Sequence, residues 1–305
     1  MINVITRRGK VSRIKESPGR IAFRAINITL LILLTAICLL PFINVIAMSF
    51  SKNGYVMAGQ VTFWPMGFNL SSYKFMLDRP AFWSSFQVSV FRLIAGSAIN
   101  LVMIVLTAYP LSKENKQLSF RTFYVWFFFI TMLIGGGMIP NYLLISKLKI
   151  RDTLWALILP GSLPVFNLVL MLNFFRQVPR ELEEAAFIDG AGHLRTLIQI
   201  FLPVSVPAIA TIALFCMVSH WNSWFDGMIY ITTPERIPLQ TYLRGIIINL
   251  DITQMTSDDM MEWRDISDRT LKCAQIIVAT IPILTVYPFL QRYFVSGIVL
   301  GSVKG

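Results

Sequence analysis

Few side chains in this 305-residue sequence have the types and spacing that chemistry on a substrate would need. The two histidines, His193 and His220, belong to no HExxH sequence or other metal-ligand spacing, so we expect no metal site. The three glycines at 135–137 lack the following Lys-Ser/Thr pair of a phosphate-binding loop, which predicts that this chain does not itself bind ATP. The acids lie almost entirely in polar segments. We therefore expect neither an enzyme nor a cofactor held by this chain.

One polar segment, residues 179–203, lies between two long apolar runs. Pro179 suits the start of a helix, because the first helical position loses nothing from a missing N–H. Acids at 181, 183 and 184 follow, where the positive end of a helix dipole favours them. Helical spacing places five residues on one small, flat face that suits a groove in another protein: Leu182, Ala185, Ala186, Asp189 and Gly190. Gly190 and Gly192 permit a left-handed end, and we expect Pro203 to begin a membrane helix.

This segment resembles the EAA loop of the permease subunits of ABC importers. In that motif, EAA is followed after three residues by Gly and after nine more by Ile-x-Leu-Pro. The matching residues here are Glu184, Ala185, Ala186, Gly190, Ile200, Leu202 and Pro203. The Asp189-Gly190-Ala191 sequence is similar to the variant typical of sugar permeases. The alternative is an amphipathic helix that lies on the membrane surface without a partner.

The resemblance extends over almost the whole chain. The layout is similar to the smaller, maltose-type second permease of sugar importers. His220-Trp221-Asn222, with Pro-Leu-Gln at 238–240, looks like the WN…PL stretch of that family, and residues 291–305 resemble its QRYFVxG…GxVKG tail. Residues 13–17 and the Trp-Pro pair at 64–65 look closest to a branch that imports larger oligosaccharides. That branch includes the permeases of alginate and pectin-fragment importers.

The resemblance implies an all-α membrane fold of the type I ABC importer kind and a set of partners. A coupling helix that docks in a cleft of an ATPase subunit would be formed by Glu184, Ala185, Ala186 and Gly190. Glu184 would supply a charge-assisted hydrogen bond. The implied partners are a second, similar permease, two ATPase subunits that carry ATP and Mg²⁺, and an extracytoplasmic solute-binding protein. The tail at 296–305 would reach between the ATPases. Residues 226–269 would contact the binding protein, although a merely solvated loop is the alternative.

Composition independently indicates a membrane protein. The chain is 55% hydrophobic and 14% charged, with a mean hydropathy of +0.63, whereas a soluble domain carries about 25% charged residues. Lipid must therefore cover much of its surface. The net charge of +11 does not indicate nucleic acid, because the basic residues are not gathered on one polar domain. Cys38, Cys216 and Cys273 lie in or beside apolar runs, so we expect small core residues rather than a disulfide or metal set.

Apolar runs long enough to cross a bilayer predict six spans. The predicted spans are residues 25–48, 82–111, 122–142, 154–175, 204–224 and 271–289. Residues 1–24 and 292–305 would be polar tails, 176–203 the coupling loop, and 51–81 and 226–269 outer loops. A secretory signal peptide is the competing interpretation of the first run, but that run is too long and has no small-residue cleavage site. We expect breaks or bends at the three glycines and at Pro160-Gly161.

The distribution of Lys and Arg predicts the orientation. Six spans place both termini and the 176–203 loop on one side, which carries 15 basic residues against 6 acidic ones. The opposite side carries 11 basic residues against 10 acidic ones. We therefore expect both termini in the cytoplasm, in a bacterial inner membrane.

Candidate contacts with a substrate are few. Arg92 is the one formal charge in the interior of a predicted span, so it should face a cavity or a partner, unless it snorkels to the outer boundary. Asn167 and Asn173 could bond a sugar hydroxyl or a neighbouring helix. Trp221, next to Asn222, could stack on a sugar ring or lie in the interfacial belt. The basic balance and Arg92 hint at an acidic saccharide such as alginate, but the positive-inside bias already explains most of the charge.

Two other functions remain open at this stage. An importer of the same architecture could carry a non-sugar solute, such as an amino acid or polyamine, although the Asp-Gly-Ala variant and the tail argue against it. A membrane scaffold or enzyme without an ATPase partner is the second alternative.

Overall fold

The computed structural model describes residues 17–248 and 268–301, and within these ranges the regular structure is helical. No β-strand occurs among them, and a single isolated bridge joins Ser51 to Phe68. The first helices are α1 (Pro18–Ser49), α2 (Asn53–Met57), α3 (Ser71–Leu77), α4 (Pro80–Ser112), α5 (Arg121–Leu133), α6 (Met138–Lys147) and α7 (Trp155–Ile158). The others are α8 (Val165–Gln177), α9 (Arg180–Ile188), α10 (His193–Thr196), α11 (Leu202–Val204), α12 (Val206–Asn222), α13 (Phe225–Tyr230), α14 (Leu239–Ile248) and α15 (Asp268–Gly301). The expected all-α fold is confirmed.

The apolar helices can supply six spans. Three helices, α1, α4 and the part of α15 from Asp268 to Val286, are each long and apolar enough to cross a bilayer. Three bent helix pairs complete the set if each pair forms one span. The predicted number of spans therefore agrees with the structure.

The bends described next occur at glycine and proline residues, which favour a helix least. The run predicted as one span at 122–142 is instead a pair, α5 and α6, bent by 112° between Leu133 and Met138. The three glycines lie in this gap, and Gly137 adopts a φ of +79°. The next pair bends by 48° after a short 3₁₀ turn, Leu159–Gly161, that contains Pro160. Both breaks were predicted, but the sharpness of the first was not.

Several helices are longer than the predicted spans. Helix α1 begins at Pro18, so residues 18–24 of the predicted tail are helical, because Pro18 suits a first helical position. Helix α15 continues to Gly301, well past the predicted end at 289. The outer loop at 226–269 contains α13 and α14. The remaining tail residues, 1–16 and 302–305, and the loop residues 249–267 lie outside the described ranges.

Two clusters of buried side chains hold the helices together. One joins α4, α8 and α12 and includes Ile104, Leu168 and Ile212. The other joins α3, α4, α12, α14 and α15 around Trp221 and Leu271. The lipid-facing helices contribute little to either cluster, and α5 buries no residue, as expected where lipid replaces water.

The cysteine prediction is partly correct. Cys216 and Cys273 are buried free thiols, whereas Cys38 is exposed on α1. Cys38 is therefore not a core residue, because α1 packs few of its side chains against the rest of the chain.

Candidate functional site

The polar segment between the spans forms helix α9, as the sequence predicts. Pro179 precedes its first residue, and Glu181 and Glu183 lie in the first turn. At the other end Gly190 has a φ of +78°. The Gly190 amide donates to the Phe187 carbonyl at 3.0 Å, and the Ala191 amide donates to the Ala186 carbonyl at 2.9 Å. This is the Schellman pattern that ends a helix at a left-handed glycine.

Two details of the predicted segment are wrong. Asp189 and Gly190 do not extend the flat face, because α9 ends at Ile188 and these two residues form its cap. Pro203 does not begin the fifth span, since it lies within α11, and α12 begins at Val206 after an 84° bend. Pro207, the second residue of α12, has no N–H group. It therefore cannot donate to the carbonyl of Pro203, and the helix does not continue across the bend. Gly192 adopts an ordinary negative φ of −80°.

The outer surface of α9 has apolar groups in contact with solvent. Ile188 is 86% exposed, and Leu182 and Phe187 are also exposed. Glu184 and Ala185 are exposed beside them, and Ala186 is half-buried. Exposed apolar side chains on a charged segment are typical of a surface that binds another protein.

The inner surface of α9 is fastened to the end of α4 by a buried ion pair. Lys113 Nζ lies 2.6 Å from Glu183 Oε1, and the two side chains are 7% and 12% exposed. The same ammonium lies 4.0 Å from the ring centre of Tyr109 and 4.2 Å from that of Phe201, within the range of cation–π attraction. Burial lowers the pKa of Lys113, and the hydrogen bond to Glu183 opposes that shift. Lys113 therefore links α9 to α4 and to the segment after α10.

A second ion pair between the same parts is exposed. Arg180, the first residue of α9, pairs with Glu114, and both side chains are largely solvent-exposed. Such pairs contribute little to stability. The two pairs flank an open cavity of about 700 Å³ whose wall includes Arg121, Arg176 and Glu184. The buried pair, rather than the exposed one, fixes the position of α9.

A polar pocket of about 410 Å³ lies among α4, α7, α8, α12 and α13. Its volume falls within the roughly 300–1,000 Å³ of small-molecule sites. The polar residues of its wall are Arg92, Asn100, Asn167, Ser219, His220, Ser223, Asp226 and Tyr230. The pocket therefore gathers polar side chains among membrane helices, where they are kept away from lipid.

Arg92 forms a two-pronged ion pair with Asp226 in this pocket. Arg92 Nη1 donates to Asp226 Oδ1 at 3.2 Å, and Nη2 contacts Oδ2. The guanidinium also donates to the Ser223 carbonyl at 3.4 Å and to the Leu157 carbonyl at 3.3 Å. Arg92 is 3% exposed, so it does not snorkel to the membrane boundary. It faces both a partner and a cavity.

The other candidate substrate residues are placed differently. Asn167 lines the pocket, and its Nδ2 lies 3.4 Å from Cys216 Sγ. Asn173 and Asn222 are exposed and lie outside the wall of the pocket. Trp221 is buried, and its Nε1 donates to the Ala279 carbonyl at 2.8 Å, so it joins α12 to α15. Its ring packs against Phe86 with centres 6.1 Å apart.

The sequence did not identify Asp226, Lys113 or Glu183 as site residues. Asp226 follows Arg92 by 134 residues, and Glu183 follows Lys113 by 70, so local patterns do not reveal either pairing. One feature of the sequence does point to the Arg92–Asp226 pair. A buried cation needs a counter-charge, and Asp226 is the first acid after the fifth predicted span.

Asp152 fastens the loop after α6 to the segment after α13. Its Oδ1 accepts from the Thr232 amide at 2.8 Å and from the Thr233 amide at 2.9 Å. The hydrogen bond from the Thr233 hydroxyl, together with those amides, holds the pKa of Asp152 well below its usual range. Within residues 17–248 and 268–301, no group of three or more His, Cys, Asp or Glu side chains is arranged to hold a metal ion.

Comparison with known proteins places this architecture in a family. Residues 22–299 match the family described as "Binding-protein-dependent transport system inner membrane component". Protein LplC of Bacillus subtilis is 42% identical over 287 residues, which cover 94% of this chain and 96% of that protein. The polygalacturonan/rhamnogalacturonan transport system permease protein YtcP of the same organism is 40% identical over 275 residues, 90% of this chain and 96% of YtcP.

A solved structure has the same fold. A chain from the crystal structure of a bacterial ABC transporter involved in the import of the acidic polysaccharide alginate aligns with a TM-score of 0.82 and 32% identity. The alignment covers 92% of this chain and 99% of that chain. The type I importer fold expected from the EAA segment is therefore confirmed.

Proposed function

This chain belongs to the family of binding-protein-dependent transport system inner membrane components, and we propose that it is a permease subunit of an ATP-driven importer of oligosaccharides or polysaccharides. Like its permease relatives, the chain is a membrane transport component rather than an enzyme. The observation that carries the choice of substrate is the 40% identity, over 96% of its length, to a permease named for polygalacturonan and rhamnogalacturonan. The likeness to a chain of an alginate importer supports the same class.

Helix α9 is the coupling element in this proposal. Its exposed face, with Glu184, Ala185 and Ile188, docks in a cleft of an ATPase subunit. Its buried face, through Glu183 and Lys113, carries the resulting movement into α4. ATP and Mg²⁺ are bound by the ATPase subunits, whose closure rocks the spans around a central pathway. The Schellman cap at Gly190 keeps the helix short, and Ala191, Ile200, Leu202 and Pro203 belong to the segment that returns the chain to the membrane.

The remaining partners follow from the same assembly. A second, similar permease completes the pathway, and an extracytoplasmic solute-binding protein delivers the saccharide to the outer side. Both termini lie in the cytoplasm, which the excess of Lys and Arg on that side supports. Arg92 and Asn167 line the pathway, because both belong to the wall of the polar pocket.

Reconstitution tests this function directly. The chain is expressed with its neighbouring second permease and ATPase and reconstituted with the binding protein in liposomes that contain ATP. We expect ATP-dependent uptake of a labelled oligosaccharide and copurification of the ATPase with this chain. Uptake of an amino acid or polyamine instead would show that the importer carries a non-sugar solute. If no ATPase copurified with the chain, the alternative of a membrane scaffold without an ATPase partner would be favoured.

A further inference from the structure

The charge of Arg92 is already neutralised within the pocket. Asp226 meets the guanidinium with both carboxylate oxygens, and two carbonyl groups accept from it as well. A paired guanidinium of this kind offers little attraction to a second anion, because the field of the carboxylate cancels that of the cation beyond the pair. The presence of Arg92 in a span is therefore no reason to expect an acidic ligand in this pocket.

Both members of the pair line the pocket, and the carboxylate is the more exposed of the two. Arg92 is 3% exposed, whereas Asp226 is 24% exposed. Asp226 Oδ1 accepts from Arg92, from Ser223 Oγ at 2.8 Å and from the Gly227 amide at 2.9 Å. Oδ2 accepts only from Arg92. Since a carboxylate offers about four acceptor positions shared by its two oxygens, Oδ2 retains the capacity for another donor.

A ligand carboxylate would be opposed at this position. To reach Arg92 it would have to displace Asp226, which would leave a partly buried carboxylate without its counter-charge. If Asp226 stayed in place, the two carboxylates would repel each other in a region of low dielectric. A sugar hydroxyl meets neither obstacle, and its hydrogen bond to an ionised acceptor is a strong one.

We propose that this pocket is a subsite for an uncharged, hydroxyl-bearing saccharide unit, which donates a hydroxyl to Asp226 Oδ2 while Arg92 positions the carboxylate. Asn100, Asn167 and Ser219 supply further polar groups around the ligand. The ring of Tyr230, held against Tyr142 with centres 6.3 Å apart, supplies an aromatic wall. The inference rests on the proposed function and adds that this subsite disfavours uronate rings, in contrast to the acidic polysaccharides for which the permease relative and the alginate importer are named.

This selectivity is tested by comparing one ratio, uronate uptake over neutral uptake, between variants. Reconstituted importer, with its binding protein, is given a neutral oligosaccharide or the matched uronate oligomer, and the ratio of uronate to neutral uptake is measured. The binding protein contributes equally in every variant, so its own preference cancels when variants are compared. Asp226→Asn leaves Arg92 as an unpaired cation, and we expect the ratio to rise about tenfold over the wild type.

Matched variants separate this effect from damage to the fold. Asp78→Asn removes an exposed carboxylate that lies outside the pocket, and we expect the wild-type ratio. The double variant Arg92→Gln/Asp226→Asn removes both charges, and we expect a ratio between those of the wild type and Asp226→Asn. A ratio that Asp226→Asn leaves unchanged or lowers would overturn the proposal.

A second measurement keeps the ion pair intact and so does not depend on whether Asp226→Asn folds. Ser219→Cys introduces an exposed thiol in the pocket wall, and the reaction of the parent chain is subtracted. Each rate is divided by the rate of the same reagent with a small free thiol, because a thiolate itself attracts the cationic reagent. After this correction we expect a cationic methanethiosulfonate to react severalfold faster than an anionic one of similar size, and the neutral oligosaccharide to protect the thiol better than its uronate counterpart. The reverse orders would contradict the proposal. Absence of any saccharide uptake by the wild-type importer would instead refute the proposed function.

Discussion

Lys113 shows how one residue can link the polar segment at 179–203 to the membrane helices. Its ammonium is buried between two aromatic rings and pairs with Glu183 of α9. A buried pair of this kind is costly to break, because the remaining charge stays buried without compensation. The position of α9 relative to α4 therefore depends more on this pair than on the exposed Arg180–Glu114 pair.

Neutralising one partner should loosen this link. Glu183→Gln keeps the shape of the side chain but leaves the Lys113 ammonium unpaired, and we expect a destabilisation of about 3 kcal/mol. Thermal unfolding of the detergent-solubilised importer measures the change. Glu114→Gln is the matched control, since it removes the exposed pair with Arg180 and should cost less than about 1 kcal/mol. Equal effects of the two variants would contradict the structural role of the buried pair.

Gly96 allows α4 to approach α12 closely beside the pocket. A Cβ atom at this position would lie 2.6 Å from His220 Nε2. Gly96→Ala should therefore destabilise the protein by about 1–3 kcal/mol, and His220→Ala in the same chain should restore part of the loss. Gly19→Ala is the control, because no atom lies within 4 Å of the added methyl group. Indistinguishable melting curves for Gly96→Ala and Gly19→Ala would refute the close approach.

At the scale of elements, α9 combines an exposed face, which we propose binds an ATPase, with a fixed length. Two substitutions should uncouple it without preventing membrane insertion. Gly190→Pro cannot adopt the φ of +78° that the cap needs, and Glu184→Lys reverses the charge offered to the ATPase. We expect both to abolish uptake in whole cells while the protein still reaches the membrane.

Gly192→Ala provides the control for the glycine variant. Gly192 has a φ of −80°, and no atom lies within 4 Å of an added methyl group. We expect uptake close to that of the wild type. Normal uptake by Gly190→Pro or Glu184→Lys would remove the docking role of α9.

The sequence predicts elements better than it predicts their pairing. Residues 179–190 carry their own start and stop signals, so the existence of α9 and its glycine cap follow from local chemistry. The three glycines likewise predict a break, but the 112° bend depends on how α5 and α6 pack. The Arg92–Asp226 and Lys113–Glu183 pairs join distant segments, and only the folded chain brings them together. Trp221 illustrates the same limit, because a buried and an interfacial tryptophan look alike in sequence.

At the scale of the molecule, two helices pack few of their side chains against the rest of the described chain. The exposed helix α5 and the sparsely packed α1 leave broad apolar surfaces, which in the proposed assembly meet lipid and a second permease. The polar pocket lies among the membrane helices, while α9 projects from them between α8 and α12. Movement imposed on α9 can reach the pocket through α4, because α4 carries Arg92 and Lys113 directly follows its last residue.

Photo-crosslinking from α9 tests the central claim most directly. A photoreactive amino acid replaces Ile188, which is 86% exposed, in the importer assembled in cell membranes, and Met57 on α2, which is 62% exposed, serves as the control position. The account predicts a crosslink from position 188 to an ATPase subunit and none to that subunit from position 57. A crosslink from position 188 to no other polypeptide, or only to the extracytoplasmic binding protein, would contradict this claim.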